Sequence, residues 1–240
     1  MQQLQRALSL LYPDQCILCE ARVDQHGGLC GSCWSQMPFL TGLVCHTCGV
    51  SLPGTETHHV LCDDCLATPR PWEAGRAALT YQDAARRVVL SFKHADRLDL
   101  APACAAWMVQ AGQEILSDDT LIVPVPAHWS RLVKRRYNQA VELSRGIARK
   151  TGLDFAPDAL RRTKRTPTQD GKTVEERFAN LRGAFEVSSK GLKRVRGRKI
   201  CLVDDVMTSG ATLSVATNVL YEAGAEQVCT LVLARVEKAP

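Results

Sequence analysis

From residue 73 onward the chain alternates short apolar runs with longer segments whose apolar residues recur at helical intervals. Ala77 to Tyr81, Leu121-Ile-Val-Pro-Val125, Ala184-Phe-Glu-Val187, Lys199 to Val203 and Val228 to Arg235 read as strands. Asp83 to Phe92, Leu98 to Leu116, Asn138 to Lys150 and Ala211 to Ala223 read as helices. The second of these places Ala103, Trp107, Ala111 and Ile115 on one face, and the third stops at Thr151-Gly152. Strands alternating with helices predict an α/β fold, a parallel sheet with helices on both faces. Ligands of such sheets sit beyond the C-terminal ends of the strands.

The first 72 residues follow neither pattern. Met1 to Tyr12 carries Leu4, Ala7, Leu8 and Leu11 at amphipathic helical spacing, which predicts a short helix packed on the body of the protein. It lacks the charged start and cleavage site of a secretory signal. No apolar stretch approaches the roughly 20 residues that span a bilayer. A cytoplasmic protein without a membrane span is therefore expected. In that compartment disulfides do not persist, and this decides how the cysteines are read.

Eight of the eleven cysteines form four CxxC pairs: Cys16/Cys19, Cys30/Cys33, Cys45/Cys48 and Cys62/Cys65. Each CxxC turn aims two sulfurs at one ion, and two turns complete a tetrahedral Zn²⁺ site, so about two structural zinc ions are expected. Sequential pairing (16, 19, 30, 33 and 45, 48, 62, 65) closes shorter loops than a crossed arrangement and is favoured on closure entropy. His46, His58 and His59 lie within the second set and are either substitute ligands or exposed loop residues. Cys104, Cys201 and Cys229 sit on apolar runs and read as core cysteines. The expected organisation is an N-terminal helix at 1–15, a double zinc ribbon at 16–66, a proline-containing linker at 67–75 and an α/β domain at 76–240.

Charge divides along the same line. Up to Trp72 there are three basic and six acidic residues; the remainder holds 27 basic and 19 acidic. Electrostatics therefore seats an anionic partner, single-stranded DNA included, on the C-terminal part. The ribbons are poor candidates for a DNA grip, because each Zn²⁺ held by four thiolates adds a formal charge of −2.

The most informative stretch is Ile200-Cys-Leu-Val-Asp-Asp-Val-Met-Thr-Ser-Gly-Ala-Thr-Leu213. An apolar strand meets two adjacent carboxylates, Asp204 and Asp205, then a loop of small residues (Thr208, Ser209, Gly210, Ala211, Thr212) that opens a helix. Paired carboxylates are costly at a buried strand end unless they bind something, and they suit a vicinal diol. Free N–H groups at a helix start suit a phosphate. Diol and phosphate together describe a ribose 5-phosphate. A plain strand–turn–helix with Thr208 or Ser209 as N-cap accounts for the loop but not for the acids.

This motif resembles the 5-phosphoribosyl-1-diphosphate (PRPP) signature of type I phosphoribosyltransferases. The resemblance implies that Asp204 and Asp205 contact the ribose hydroxyls and that Thr208 to Thr212 hold the 5-phosphate. The wider chain, from about Cys16 to Arg235, resembles the ComF family of bacterial competence-associated proteins, which join a cysteine-rich zinc segment to this fold. The likeness includes Val123-Pro-Val-Pro126, Arg135-Arg-Tyr-Asn-Gln-Ala140, Gln169, Glu176-Arg177 and Asn180-Leu181. Arg136 stands where the family usually has glycine. The resemblance further implies a diphosphate loop after the strand at 121–125, here holding Arg131, Lys134, Arg135 and Arg136. Four cations in six residues repel one another without an anion, although a solvated basic turn is the plain alternative. It also implies a mobile loop over Thr163 to Asn180, with Gln169, Lys172 and Arg177 as its ligand-facing candidates.

Two functions follow as expectations. One is phosphoribosyl transfer from PRPP with Mg²⁺ and release of diphosphate, with Asp204 and Asp205 at the reacting sugar. Its acceptor would be covered by Tyr81 to Leu116 or by the zinc module. The other is a non-catalytic PRPP or nucleotide sensor, or a single-stranded-DNA-binding accessory of competence or DNA-processing proteins.

Overall fold

A computed structural model describes residues 14–24, 27–55, 59–94, 97–127, 137–164, 181 and 183–237. The helix expected over Met1 to Tyr12 lies outside these residues. The described elements are α1 (Gly31–Ser35), α2 (Asp63–Ala67), β1 (Ala74–Thr80), α3 (Asp83–His94), a 3₁₀ turn (Leu98–Leu100), α4 (Ala101–Ala111), β2 (Leu121–Pro124) and α5 (Gln139–Thr151). They continue with β3 (Asp154–Phe155), β4 (Leu160–Arg162), β5 (Phe185–Val187), α6 (Ser189–Val195), β6 (Lys199–Met207), α7 (Ala211–Glu222) and β7 (Gln227–Arg235).

Five strands form one parallel sheet in the order β1-β7-β6-β2-β3. Strand alternation sends successive side chains to opposite faces. On β6, Ile200 and Leu202 face α7, packing with Leu213, Ala216 and Leu220; Cys201 and Val203 face the opposite layer of α3, α4 and α5, packing with Phe92, Met108, Leu143 and Ile147. The expected parallel sheet with helices on both faces is thus the observed one. A separate antiparallel pair, β4 and β5, has Leu160 opposite Val187 and Arg162 opposite Phe185.

The cysteine-rich segment lies along the outer edge of β1. Phe39 bridges Leu79, the Leu40 N–H donates to Ala78 O, and the Thr80 N–H donates to Pro38 O. An otherwise open edge is thereby covered. Lower on the strand the second ribbon comes closer. The Gly75 N–H donates to His46 O at 2.9 Å, and a Cβ on Gly75 would stand 2.2 Å from Thr47 O. Only glycine allows that approach. The expected linker is packed as well: the side chains of Arg70 and Trp72 are both buried.

Three local expectations change. The helix read over Leu98 to Leu116 divides into a 3₁₀ turn and α4, which ends at Ala111 where Gly112 takes the C-cap. The basic run from Lys190 to Lys199, over which no helix is read, holds most of α6, capped by the Ser188 hydroxyl accepting from Gly191 N–H. The strand expected to end at Val203 continues to Met207, because β7 keeps pairing with it through Asp204–Val232 and Val206–Ala234. Among the described residues no helix is long and apolar enough to cross a membrane.

Candidate phosphate and diol site, and the two cysteine clusters

At the C-terminal edge of the sheet, β6 delivers Asp204 and Asp205 half-buried, beside the end of β2. Asp204 Oδ1 accepts the Asp205 backbone N–H at 2.8 Å, which fixes the first carboxylate against the strand. The chain then turns through Thr208 and Ser209 into Gly210, whose φ of 78° is left-handed and favours glycine. Gly210 is the N-cap of α7, and no side chain caps the helix. The Ser209 hydroxyl stands 3.5 Å from Ala211 N, at the limit of a hydrogen bond. A capped turn is therefore not the explanation of this loop, and the start of α7 keeps its anion-binding character.

The orientation of the loop has a physical cause. Arg70 Nη1 donates to Ser209 O at 2.7 Å; Arg235 Nη1 donates to Thr208 O at 2.6 Å and to Met207 O at 3.3 Å. The Val236 N–H also donates to Met207 O. In a trans peptide the N–H points opposite the carbonyl of the same plane. Tying these three carbonyls inward turns the N–H groups of Thr208, Ser209 and Gly210 outward. A small concavity of about 30 Å³ is lined by Asp204 and residues 206–213. A much larger cleft, about 860 Å³, lies at the opposite end of the sheet, between the second ribbon and the first residues of β1, β6 and β7. Asp204 and the uncapped helix start line the small one, and parallel sheets bind at that edge, so the larger volume does not decide the site.

Val125 N–H donates to Val203 O at 2.8 Å, so the segment leaving β2 starts beside Asp204. The expected diphosphate residues Arg131, Lys134, Arg135 and Arg136 lie outside the described residues, as do Gln169, Lys172 and Arg177. The edges of both loops are held. Asn138 Nδ2 donates to Val125 O at 2.9 Å while its Oδ1 caps α5 at Ala140 N–H, closing the first loop at its base. Tyr137 Oη donates to Phe92 O at 2.5 Å and Gln139 Nε2 donates to the same carbonyl at 3.4 Å. The Tyr-Asn-Gln run is thus an anchor. Strands β4 and β5 hold the ends of the second loop.

The cysteines assemble in the sequential arrangement. The sulfurs of Cys16, Cys19, Cys30 and Cys33 lie within 4.8 Å of one another, as do those of Cys45, Cys48, Cys62 and Cys65. Zn–S bonds of about 2.3 Å put neighbouring sulfurs of a tetrahedron about 3.8 Å apart. The observed 3.5 Å for Cys19–Cys30 and 3.6 Å for Cys48–Cys62 fit two zinc sites of four thiolates each, with no disulfide. The Cys62 N–H donates to Cys45 Sγ at 3.3 Å. Thiol donors Cys48 and Cys65 hold Cys45 well below the usual thiol range, and the contact with Cys45 pushes Cys48 up to about 11. Burial raises Cys16, yet backbone N–H donors at Cys30, Leu18 and Cys19 outweigh it and bring it down to about 6. His46 and His59 are not ligands; their rings stack at 3.7 Å. Burial first, then the charges of His59 and Arg76, keep His46 below its ordinary value. Of the three core cysteines, Cys104 and Cys201 are buried, and burial pushes Cys104 up to about 12; Cys229 is half-buried beside the large cleft.

Arg70, Arg235 and Asp64 were not singled out by the sequence pattern. A charged residue closing the apolar run at 228–235 was the one available sign of a buried role for Arg235.

These observations define an α/β domain of the phosphoribosyltransferase type carried behind a double zinc ribbon. Residues 7–72 match the family model of the double zinc ribbon domain, and residues 137–239 match that of the phosphoribosyl transferase domain. Competence protein F of Haemophilus influenzae is 28% identical over 228 residues, covering 92% of this chain and 96% of its own. The DNA utilization protein YhgH of Escherichia coli K12 is 28% identical over 232 residues, covering 94% and 99%. Competence protein ComFC of Bacillus subtilis is 26% identical over 226 residues, covering 91% and 83%. Over nearly its whole length the chain is thus similar to these competence and DNA-utilization proteins.

Proposed function

We propose that this protein binds PRPP at the C-terminal edge of β6 and transfers its phosphoribosyl group with release of diphosphate. The observation that carries the reading is the pairing of two half-buried carboxylates with a loop whose carbonyls are tied inward at an uncapped helix start. Asp204 and Asp205 accept hydrogen bonds from the ribose hydroxyls. Thr208 to Thr212 take the 5-phosphate. Arg131, Lys134, Arg135 and Arg136 receive the diphosphate, and Gln169, Lys172 and Arg177 belong to the segment that closes over the ligand. In the transfer the C1–O bond to diphosphate breaks with its electron pair leaving on the diphosphate. The acceptor forms the new bond to C1 and gives up its proton. The basic loop favours the leaving charge and the carboxylates favour the cation-like sugar. Mg²⁺, when bound with PRPP, neutralises the diphosphate; the carboxylate oxygens offered at this edge are hard donors that suit it.

A second reading keeps the binding site and drops the transfer: a PRPP sensor or single-stranded-DNA accessory acting in the cytoplasm with competence or DNA-processing proteins. It is favoured by the names of the relatives, competence and DNA utilization, and by the basic C-terminal part. Titration calorimetry with Mg²⁺-PRPP tests the common core. Asp204→Asn with Asp205→Asn should fold and lose at least about tenfold in affinity, the equivalent of one charged hydrogen bond. Equal affinity in the double variant would overturn the site. Diphosphate release when acceptors are offered separates transferase from sensor.

A further inference from the structure

Two buried guanidiniums stand between the second cysteine cluster and the phosphate loop. The side chains of Arg70 and Arg235 are 3% and 4% exposed. Both face Asp64, at 2.7 Å from Arg70 and 4.0 Å from Arg235. Asp64 sits in α2 immediately before the ligand Cys65. On the loop side the two arginines hold the carbonyls of Ser209, Thr208 and Met207. On the cluster side the bridge runs through Asp64, which both arginines face, to its chain neighbour Cys65. The Nε of each arginine is buried with no partner among the described residues.

Charge balance gives this arrangement its meaning. Among the described residues two buried cations face one carboxylate, which leaves positive charge uncompensated, and that is costly. A four-thiolate site loaded with Zn²⁺ carries a formal −2 and supplies the missing anion. Without it the guanidiniums lose their reason to stay, and with them goes the constraint on three peptide planes of the loop.

We propose that Arg70 and Arg235 are positioning residues that key the phosphate loop to the metal-bearing second ribbon, so that zinc retention and phosphate affinity are coupled. The proposal rests on the reading of Thr208 to Thr212 as the 5-phosphate site. It gives the second ribbon a role in the chemistry of the other domain. Coupling of this kind is reciprocal: zinc strengthens ligand binding, and ligand strengthens zinc binding by the same factor at equilibrium.

The test uses the full-length, zinc-loaded chain. Ribose 5-phosphate affinity is measured by calorimetry, and zinc transfer to a chelating dye is followed with and without ribose 5-phosphate. In the wild type the sugar phosphate slows one of two release phases. Arg70→Met weakens ribose 5-phosphate binding at least about tenfold, the loss expected for one charged hydrogen bond. It also speeds that same phase and removes its dependence on the ligand. Arg70→Lys, which keeps the charge but not the fork, falls between. A merely structural arginine would lower the melting temperature and leave the ligand dependence of zinc release intact. If Arg70→Met does not fold, Asp64→Asn interrupts the same bridge and is read the same way. Wild-type affinity in the variant, or zinc release indifferent to ribose 5-phosphate in the wild type, overturns the coupling and leaves the proposed function standing. A wild-type chain that binds neither ribose 5-phosphate nor PRPP overturns the proposed function and the coupling with it.

Discussion

The indole N–H of Trp72 donates to the backbone carbonyl of Thr47 at 2.6 Å, deep in the seam between the second ribbon and the sheet. Trp72 is 3% exposed and shares a core cluster with Cys45, Cys48, Met207 and Ala211. The ring is therefore a joint between the ribbon and the proposed phosphate loop. Trp72→Phe, which loses the donor, should cost about 1–3 kcal/mol; Trp72→Ala, which also opens a cavity, about 3–5 kcal/mol. Chemical denaturation in excess zinc measures both. A cost under about 1 kcal/mol for the alanine variant would show that the seam contributes little.

Gly75 should be intolerant of any side chain. An added Cβ would meet Thr47 O at 2.2 Å and Thr230 Oγ1 at 2.7 Å, and the first of these is backbone that cannot rotate away. Gly75→Ala should destabilise by about 1–3 kcal/mol, the usual range for overpacking. Gly31, at the start of α1, is the control, because a methyl group there would find nothing within 4 Å. Gly31→Ala should be neutral or gain about 0.4–1 kcal/mol through the unfolded chain. Equal melting curves for the two variants would contradict the close-approach account.

These two residues also mark where the sequence was readable and where it was not. The alternation of strands and helices was legible because the apolar runs have clear periods; the CxxC spacing pointed to two clusters, and closure entropy favoured the pairing observed. The end of β6 was not: two carboxylates look like the close of a strand, while the ladder with β7 carries it on to Met207. Helix α6 was masked by six basic residues in ten, which hide its apolar Leu192 and Val195. The contacts of Arg70 were out of reach for a different reason. Its acceptor at Ser209 lies 139 residues along the chain, and no local pattern encodes a contact that distant. A glycine inside an apolar strand, as at Gly75, was the one local hint of close backbone approach.

The two cysteine clusters should differ in what their loss does. Cys19 of the first is exposed, whereas Cys45 and Cys48 of the second are wholly buried with Leu121, Leu202 and Leu213. Elemental analysis should find two zinc ions in the full chain and one in either double variant. Cys16→Ser with Cys19→Ser should leave the unfolding of the sheet near wild type. Cys45→Ser with Cys48→Ser should shift it to markedly lower denaturant, because its cavity and unpaired polar groups open into the core of the sheet domain. Matching transitions for the two variants, followed by far-ultraviolet circular dichroism, would rule out the asymmetry.

Gly210 connects backbone geometry to ligand binding most directly. Its φ of 78° costs an L-residue roughly 1–2 kcal/mol, and an added methyl would stand 3.1 Å from Trp72 Cη2 and 3.4 Å from Arg70 Nη1. Both neighbours belong to the joint behind the loop, so relief of the contact must displace either the indole or the guanidinium that holds Ser209 O. Displacing the guanidinium releases the peptide plane whose N–H would face the proposed 5-phosphate. Displacing the indole disturbs its bond to Thr47. Gly210→Ala should therefore cost about 1–3 kcal/mol of stability by strain and crowding together. Its ribose 5-phosphate affinity should fall at least about tenfold. The comparison is with the exposed Asn218 on the outer face of α7, where Asn218→Ala should leave affinity unchanged. Calorimetry on the two variants decides it. Undiminished binding by Gly210→Ala would mean that the loop's left-handed turn is not what presents the phosphate site.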